Sequence, residues 1–390
     1  MESPTRVGVI GCGAISGVYI ETMKRLKDLE IVACADISPE AVEFRANQYD
    51  IPKRYTPEAL LADPDVELVL NLTSPNAHAP VATQILEAGK HVYGEKPLAT
   101  TREAARKVLD LAAERGLRVG CAPDTFFGGA IQTCQKLIEE GTIGKPVAAL
   151  AVLAMYQGST PRRRRWKEDE MPPFARALQS VSSKAPGFYF TKGVGPMYDM
   201  GPYYLTTLAV LMGPIRRVTG SAHITWPERP YDDPKFKVET PTHVASVLDH
   251  ASGAVTTLIT SSDIWAAGHP NIEIYGEKAT LRVPDPNFLG GTVQIRPVGE
   301  EEWIDVPLTH GYAGDWWTGW HFTRGLGVAD MARSIRLGRP HRASGDLAYH
   351  VLDVVEGVHE ASREGRHVEI TSEFVQPKVL PVGLAEGELD

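Results

Sequence analysis

The chain has 390 residues, 43% of them apolar and 23% charged, and a formal net charge of −9. That length exceeds one average domain and points to two. The negative balance argues against nucleic acid or an anionic membrane surface as the main partner, and the longest apolar stretch, around Pro146 to Met155, falls far short of the ~20 residues a membrane helix needs. The first strand pattern begins by about Arg6, which leaves no room for a signal peptide. Cys12, Cys34, Cys121 and Cys134 stand singly among apolar neighbours, with no metal-ligand spacing. They read as small core residues of a cytoplasmic protein.

Residues 6–122 alternate between two patterns. Arg6–Ile10, Ile31–Ala35, Glu67–Leu72, His91–Tyr93 and Arg118–Cys121 read as short buried strands. Between them Ala14–Leu26, Pro39–Gln48, Ala77–Ala88 and Thr101–Glu114 carry helical spacing. Such alternation builds a parallel, doubly wound sheet with its ligand crevice at the carboxyl ends of the strands. The pattern changes after Pro123. A helix over Gly129–Glu140 leads into strand-like runs at Lys145–Tyr156, Arg216–His223, His243–Asp249, Ala254–Ser261, Asn271–Tyr275, Ala279–Val283 and Thr292–Pro297. Turn signals between them predict a mostly antiparallel sheet. Helices return at Arg324–Leu337 and Asp346–Glu364, and residues 374–390 lack periodicity, reading as an arm or a disordered tail.

The first strand ends in Gly11-Cys12-Gly13-Ala14-Ile15-Ser16, and Asp36 closes the next apolar run twenty positions after Ser16. Gly11 allows a tight turn, Gly13 lets the backbone approach a pyrophosphate, and a small residue at position 16 keeps helix and strand close. The helix N-terminus offers N–H groups to phosphate oxygens. Asp36 can accept ribose hydroxyls and repel a 2′-phosphate, which favours NAD over NADP; Ile37 helps shape that pocket.

Three further clusters can carry chemistry. In Thr73-Ser74-Pro75-Asn76-Ala77-His78 the strand end can line a nicotinamide ribose through Thr73, Pro75, Asn76 and His78; alternatively Ser74 or Asn76 is a helix N-cap. In Glu95-Lys96-Pro97 a lysine fixed at a strand end can hold a substrate hydroxyl, or else sit solvated beside Glu95. Asp199 and Tyr203, four apart at the opening of an apolar helix, would share a helix face and grip vicinal hydroxyls; alternatively Asp199 caps the helix and Tyr203 is core.

Taken in order, these clusters resemble the glucose–fructose oxidoreductase / inositol dehydrogenase / rhizopine catabolism (Gfo/Idh/MocA) family over nearly the whole chain. The resemblance implies an N-terminal Rossmann dinucleotide-binding domain (residues 1–123), a C-terminal α+β domain with an open, mostly antiparallel sheet (124–373) for substrate and oligomerisation, and a tail (374–390). It implies NAD as cofactor, bound by Gly11, Gly13, Ala14, Ile15, Asp36, Ile37, Thr73, Pro75, Asn76, His78, Glu95 and Lys96. Lys96, Asp199 and Tyr203 become the catalytic residues, with Lys96 between nicotinamide and substrate and Asp199 in a proton relay. Many members carry His at position 203 and Asp at position 206; Tyr203 resembles the glucose–fructose branch, and its phenol needs help from a neighbour such as Lys96 to act as a base.

The implied activity is hydride transfer between the nicotinamide and a secondary hydroxyl of a sugar, cyclitol or derivative, by a homo-oligomer (dimer or tetramer) joined through the outer sheet face. Two other readings share the motifs: a redox-neutral, NAD-dependent glycoside hydrolase, and a non-catalytic NAD-linked sensor. Tyr204 joins the expected substrate contacts. So do Arg163, from the basic run Arg162–Arg165, and Trp320 and His321, from an aromatic cluster.

Overall fold

The computed structural model describes residues 3–156, 186–229, 237–313, 324–384 and 387–390. The first six strands are β1 (Thr5–Ile10), β2 (Leu29–Ala35), β3 (Lys53–Tyr55), β4 (Leu68–Asn71), β5 (His91–Gly94) and β6 (Val119–Cys121). They form one sheet in the order β3-β2-β1-β4-β5-β6, with every pair parallel. Helices α1 (Ser16–Met23), α2 (Pro39–Tyr49), α3 (Pro57–Ala62), α4 (Pro75–Glu87) and α5 (Arg102–Glu114) connect them. Both faces of a parallel sheet are covered, so its strands are apolar throughout. Val7, Val9, Leu68 and Leu70 fill one core and Ile10, Val69 and Val92 the other.

Order reverses between β1 and β4, which opens a crevice at their carboxyl ends. The helices start where the local chemistry tells them to. Ser38 and Thr101 accept the Ala41 and Ala104 N–H groups as N-caps of α2 and α5. Residues 51–66 show no strong pattern, yet they form β3 and α3. A three-residue edge strand is too short for periodicity to reveal.

Helix α6 (Gly129–Glu139) leads to the second sheet: β7 (Pro146–Ala154), β8 (Ile215–His223), β9 (His243–His250), β10 (Val255–Ser261), β11 (Ile272–Gly276), β12 (Ala279–Val283), β13 (Val293–Pro297), β14 (Ile304–Val306) and β15 (Val368–Glu369). Its order is β14-β13-β12-β11-β7-β10-β9-β8-β15. Only β7 and β10 run parallel. Helices α7 (Pro196–Asp199), α8 (Gly201–Met212), α9 (Leu326–Arg336) and α10 (Gly345–Glu364) complete the described α-helices. Helix α9 packs on α1 and β6, while α10 packs on α5, α8 and β8, so chain from the second half closes over the first sheet.

Of the two expectations for the tail, an arm or a disordered segment, the described residues fit the packed arm. Its described residues form no helix or strand, yet its polar groups are anchored elsewhere: Gln376 donates to the Val210 carbonyl, Gln135 donates to that of Pro377, and Tyr312 donates to that of Glu388. Leu380 and Leu389 are buried. The Asp390 carboxylate meets Arg333, Arg339 and Arg342. Irregular backbone held by distant partners leaves no local periodicity. All four cysteines are buried and unpaired by disulfides, and no described helix is long and apolar enough to cross a membrane.

Candidate active site

The glycine-rich turn leaves β1 at Gly11, whose φ of +105° is rarely adopted by other residues; a Cβ there would lie 2.5 Å from the Leu72 carbonyl oxygen. At Gly13 an added Cβ would meet no atom within 4 Å. Gly13 thus presents bare backbone to open space, with Ser16 Oγ bonded to its carbonyl from below at 2.7 Å. Arg45 of α2 donates to the same carbonyl at 2.8 Å. Asp36 stands at the end of β2, accepting from the Cys12 N–H at 2.7 Å and from the Ser38 N–H at 3.0 Å. It belongs to the mouth of this turn. Beside it Ile37 is 92% exposed.

The turn after β4 is built around Asn71, whose side chain accepts from the Thr73 hydroxyl at 2.7 Å and donates to the His78 carbonyl at 3.0 Å. Ser74 takes the N-cap position of α4, though without a side-chain capping bond. Pro75 and Asn76 open the helix with Asn76 exposed. His78 turns inward. Its Nδ1 lies 2.7 Å from the Pro97 carbonyl and its Nε2 3.0 Å from that of Thr73. Both ring nitrogens face backbone carbonyls, so His78 braces the two turns.

Lys96 follows β5. Its Nζ donates to the Asp199 carbonyl and to Asp199 Oδ1, each at 2.7 Å, with 15% and 21% of the two side chains exposed. Burial works against the charged form, but Asp199, Tyr203 and Glu95 outweigh it and hold Lys96 above the ordinary lysine range. Lys96 is thereby held as an ammonium. Glu95 is itself held, accepting from the Tyr19 hydroxyl at 2.8 Å and from the Lys96 N–H at 2.9 Å. Tyr19 belongs to α1, so this bond ties the dinucleotide turn to the lysine turn. Behind Lys96 lies a cavity of about 20 Å³ walled by Pro97, Leu98, Pro123, Tyr198 and Thr206.

Asp199 and Tyr203 do not share one helix as expected. Asp199 ends α7 and Tyr203 lies in α8, with Met200 between the two. Tertiary packing still brings Tyr203 to the lysine, whose Nζ is 5.5 Å from its ring centroid. Tyr204 points away from Lys96 and Tyr203 toward Asn271. It is buried, and its hydroxyl accepts from Asn271 at 2.8 Å, because adjacent helical positions point about 100° apart. Arg163, Trp320 and His321 lie outside the described residues.

Two site residues escaped the sequence reading. Arg324, 3% exposed, donates through Nη2 to the Tyr203 oxygen at 3.3 Å and to Asn287 Oδ1 at 2.6 Å. Asp124 accepts the Gly325 and Gly327 N–H groups at 2.8 and 2.9 Å, pinning the backbone on either side of Leu326. Burial raises the Asp124 carboxyl above its usual range despite those bonds and Arg324. Neither residue sits in a motif; Arg324 marks only a predicted helix start.

The glycine turn after β1, the acid that follows β2 and the lysine–carboxylate–phenol cluster beyond β5 are the arrangement of an NAD-binding oxidoreductase family. The sequence profile described as the oxidoreductase family's NAD-binding Rossmann fold matches residues 5–122. The profile of the GFO/IDH/MocA C-terminal domain matches residues 174–282. The chain belongs to the GFO/IDH/MocA family, and its first domain is that family's NAD-binding Rossmann fold.

Among relatives, a 1,5-anhydro-D-fructose reductase of Ensifer adhaerens is 34% identical over 152 residues, 39% of this chain and 46% of that one. A myo-inositol 2-dehydrogenase of Thermotoga maritima is 28% identical over 142 residues, 36% of this chain and 42% of the other. The matched segments thus span less than half the length of these relatives. A levoglucosan dehydrogenase solved with NADH and L-sorbose superposes with a TM-score of 0.77 at 20% identity, over 95% of this chain and 100% of that one. An Agrobacterium radiobacter oxidoreductase in complex with NAD+, L-tartaric acid and magnesium gives 0.75 at 18% identity, over 94% and 98%. At such identities the likeness establishes the fold.

Proposed function

We propose that this protein is an NAD-dependent dehydrogenase acting on a secondary hydroxyl of a sugar, cyclitol or related derivative. One observation carries the reading: a charged lysine, bonded to a carboxylate and beside a phenol, stands at the strand ends beyond the dinucleotide turn. The open space over Gly13 and the clash that any side chain would make at Gly11 fit a pyrophosphate laid against backbone. Gly11, Gly13, Ala14, Ile15 and the start of α1 would hold it, Asp36 the adenosine ribose, and Ile37 one edge of the base. Thr73, Pro75 and Asn76 would line the nicotinamide half. When bound, NAD supplies the hydride acceptor.

Oxidising a secondary alcohol to a ketone releases a hydride and a proton, and these side chains manage the proton. Lys96 spends two N–H groups on Asp199 and has a third for the substrate oxygen. Tyr203, as the phenolate, takes the hydroxyl proton and becomes the neutral phenol, with the Lys96 ammonium 5.5 Å from its ring centroid. Asp199 fixes Lys96 and offers its second carboxylate oxygen to a neighbouring hydroxyl. Self-association is part of the reading. The outward face of the second sheet exposes Val247 and Val255, and light scattering would give its stoichiometry.

The test is absorbance at the NADH band with NAD+ and a panel including levoglucosan, myo-inositol, sugar acids and glycosides, with products identified by mass spectrometry. NADH formed together with a ketone upholds the proposal. Glycoside cleavage without NADH refutes it.

A further inference from the structure

We propose that Arg324 is a positioning residue for proton exchange at Tyr203, holding the phenol oxygen as an acceptor. The inference rests on Tyr203 being the group that exchanges the substrate proton. A guanidinium carries donors only, so at the 3.3 Å contact the Tyr203 oxygen accepts and the phenol's own proton points elsewhere. A freely rotating hydroxyl would waste much of its time aimed at the wrong neighbour. The Arg324 Cζ lies 5.3 Å from the Tyr203 ring centroid and Lys96 Nζ lies 5.5 Å from it. Two cations therefore flank the phenol that exchanges the substrate proton.

The fold keeps this guanidinium in place. Asn287, just beyond β12, accepts Nη2 at 2.6 Å and, through its carbonyl, Nη1 at 3.3 Å. Asp124, just past β6, grips the N–H groups of Gly325 and Gly327 that follow it. The charged and titratable groups facing the pair come from several packed elements: Tyr19 on α1, Glu95 and Lys96 after β5, Asp124 after β6, Asp199 on α7 and Asp285 after β12. Arginine suits the post because it stays charged when buried and its planar fork reaches two acceptors at once. Where a histidine would need no such support near neutral pH, a tyrosine does.

The test titrates the near-ultraviolet phenolate absorption of the full chain and assigns to Tyr203 the part that vanishes in Tyr203→Phe. Arg324→Gln is expected to move that part to higher pH by about one unit or more. Arg324→Lys, which keeps the charge but loses the fork, should move it less. NADH affinity, read by fluorescence, should stay within a few-fold in both. If Arg324→Gln does not fold, the Lys variant decides alone. An unmoved titration in the variants that fold overturns the proposal, as does a parallel collapse of NADH binding. A moved titration in a protein that reduces NAD+ with no member of the sugar panel upholds the contact while refuting the proposed reaction, so the two failures are separable.

Discussion

Replacing Lys96 with Met keeps the reach of the side chain and removes only the ammonium. In the structure Nζ gives protons to the Asp199 carbonyl and carboxylate at 2.7 Å each, so one N–H is left for the substrate oxygen. Loss of a single donor aimed at developing charge costs about 10²–10³ in kcat, roughly 3–4 kcal/mol. Stability falls as well, since Asp199 loses its partner. A fully buried pair broken on one side costs about 3–5 kcal/mol, and with 21% of the Asp199 side chain exposed the expectation drops to roughly 1–3 kcal/mol.

The sign of the pH dependence follows from the environment of Lys96. Despite the cost of burial, Asp199, Tyr203 and Glu95 raise its folded value. The pair's contribution is then fully present below the unfolded lysine value of ~10.4 and is lost only as pH rises through the higher folded value. The stability gap between parent and variant should stay level from neutral pH to about 10 and close above it. The assay is NADH formation at saturating NAD+ with a sugar from the panel, alongside NADH titration and urea unfolding. A variant that binds NADH and keeps kcat within about tenfold of the parent would refute the donor role.

Asp36→Ala should weaken NADH binding by about tenfold or more, through lost charge-assisted bonds to ribose and turn, while NADPH binding changes far less. Equal losses for both cofactors in a fluorescence titration would remove Asp36 from ribose recognition. Gly11→Ala drives a Cβ to 2.5 Å from the Leu72 carbonyl oxygen at a φ of +105°. It should cost roughly 2 kcal/mol or more and abolish NADH binding; normal calorimetric titration would contradict the close approach.

His359 is buried, stacked on Tyr198 with ring centroids 4.9 Å apart, and held down to about 4 by burial and then by Arg363. Because its folded value is depressed, the stability it confers is present above the unfolded ~6.5 and is lost as pH falls toward 4, about 3 kcal/mol in all. His359→Phe keeps the stack and should flatten the acid limb of urea-derived stability by that amount. His350, likewise held to about 4 mainly by burial, leaves part of the slope in place. Identical slopes in parent and variant would contradict the assignment.

Much of the architecture was legible before any coordinates. Predicted strands and helices match the observed ones to within a few residues at β1, β4, β7, β9, α5 and α10, since buried parallel strands and capped amphipathic helices write their period into short windows. The sequence left the tail open between an arm and disorder because its order comes from Gln135, Tyr312 and three arginines far away in the chain. Within the candidate site, Tyr204 and His78 are the residue types that bind sugars and nucleotides, yet Asn271 and two carbonyls claim their polar atoms. A residue's chemistry is readable from its letter, but its direction is not.

By itself the sequence determined the doubly wound half, the glycine turn with Asp36 at the next strand end, and the family to which the chain belongs. These rest on steric and hydrogen-bonding rules that act within a few residues or at fixed motif spacing. Only the tertiary structure decided that Lys96 would meet Asp199 across 103 residues and that Arg324 would reach Tyr203 across 121. It also decided that Asp199 and Tyr203 would converge despite a break between their helices. Such contacts form because packing one buried surface on another leaves a polar group only the partners that the opposite surface happens to bring, and nothing local to either residue records which those will be.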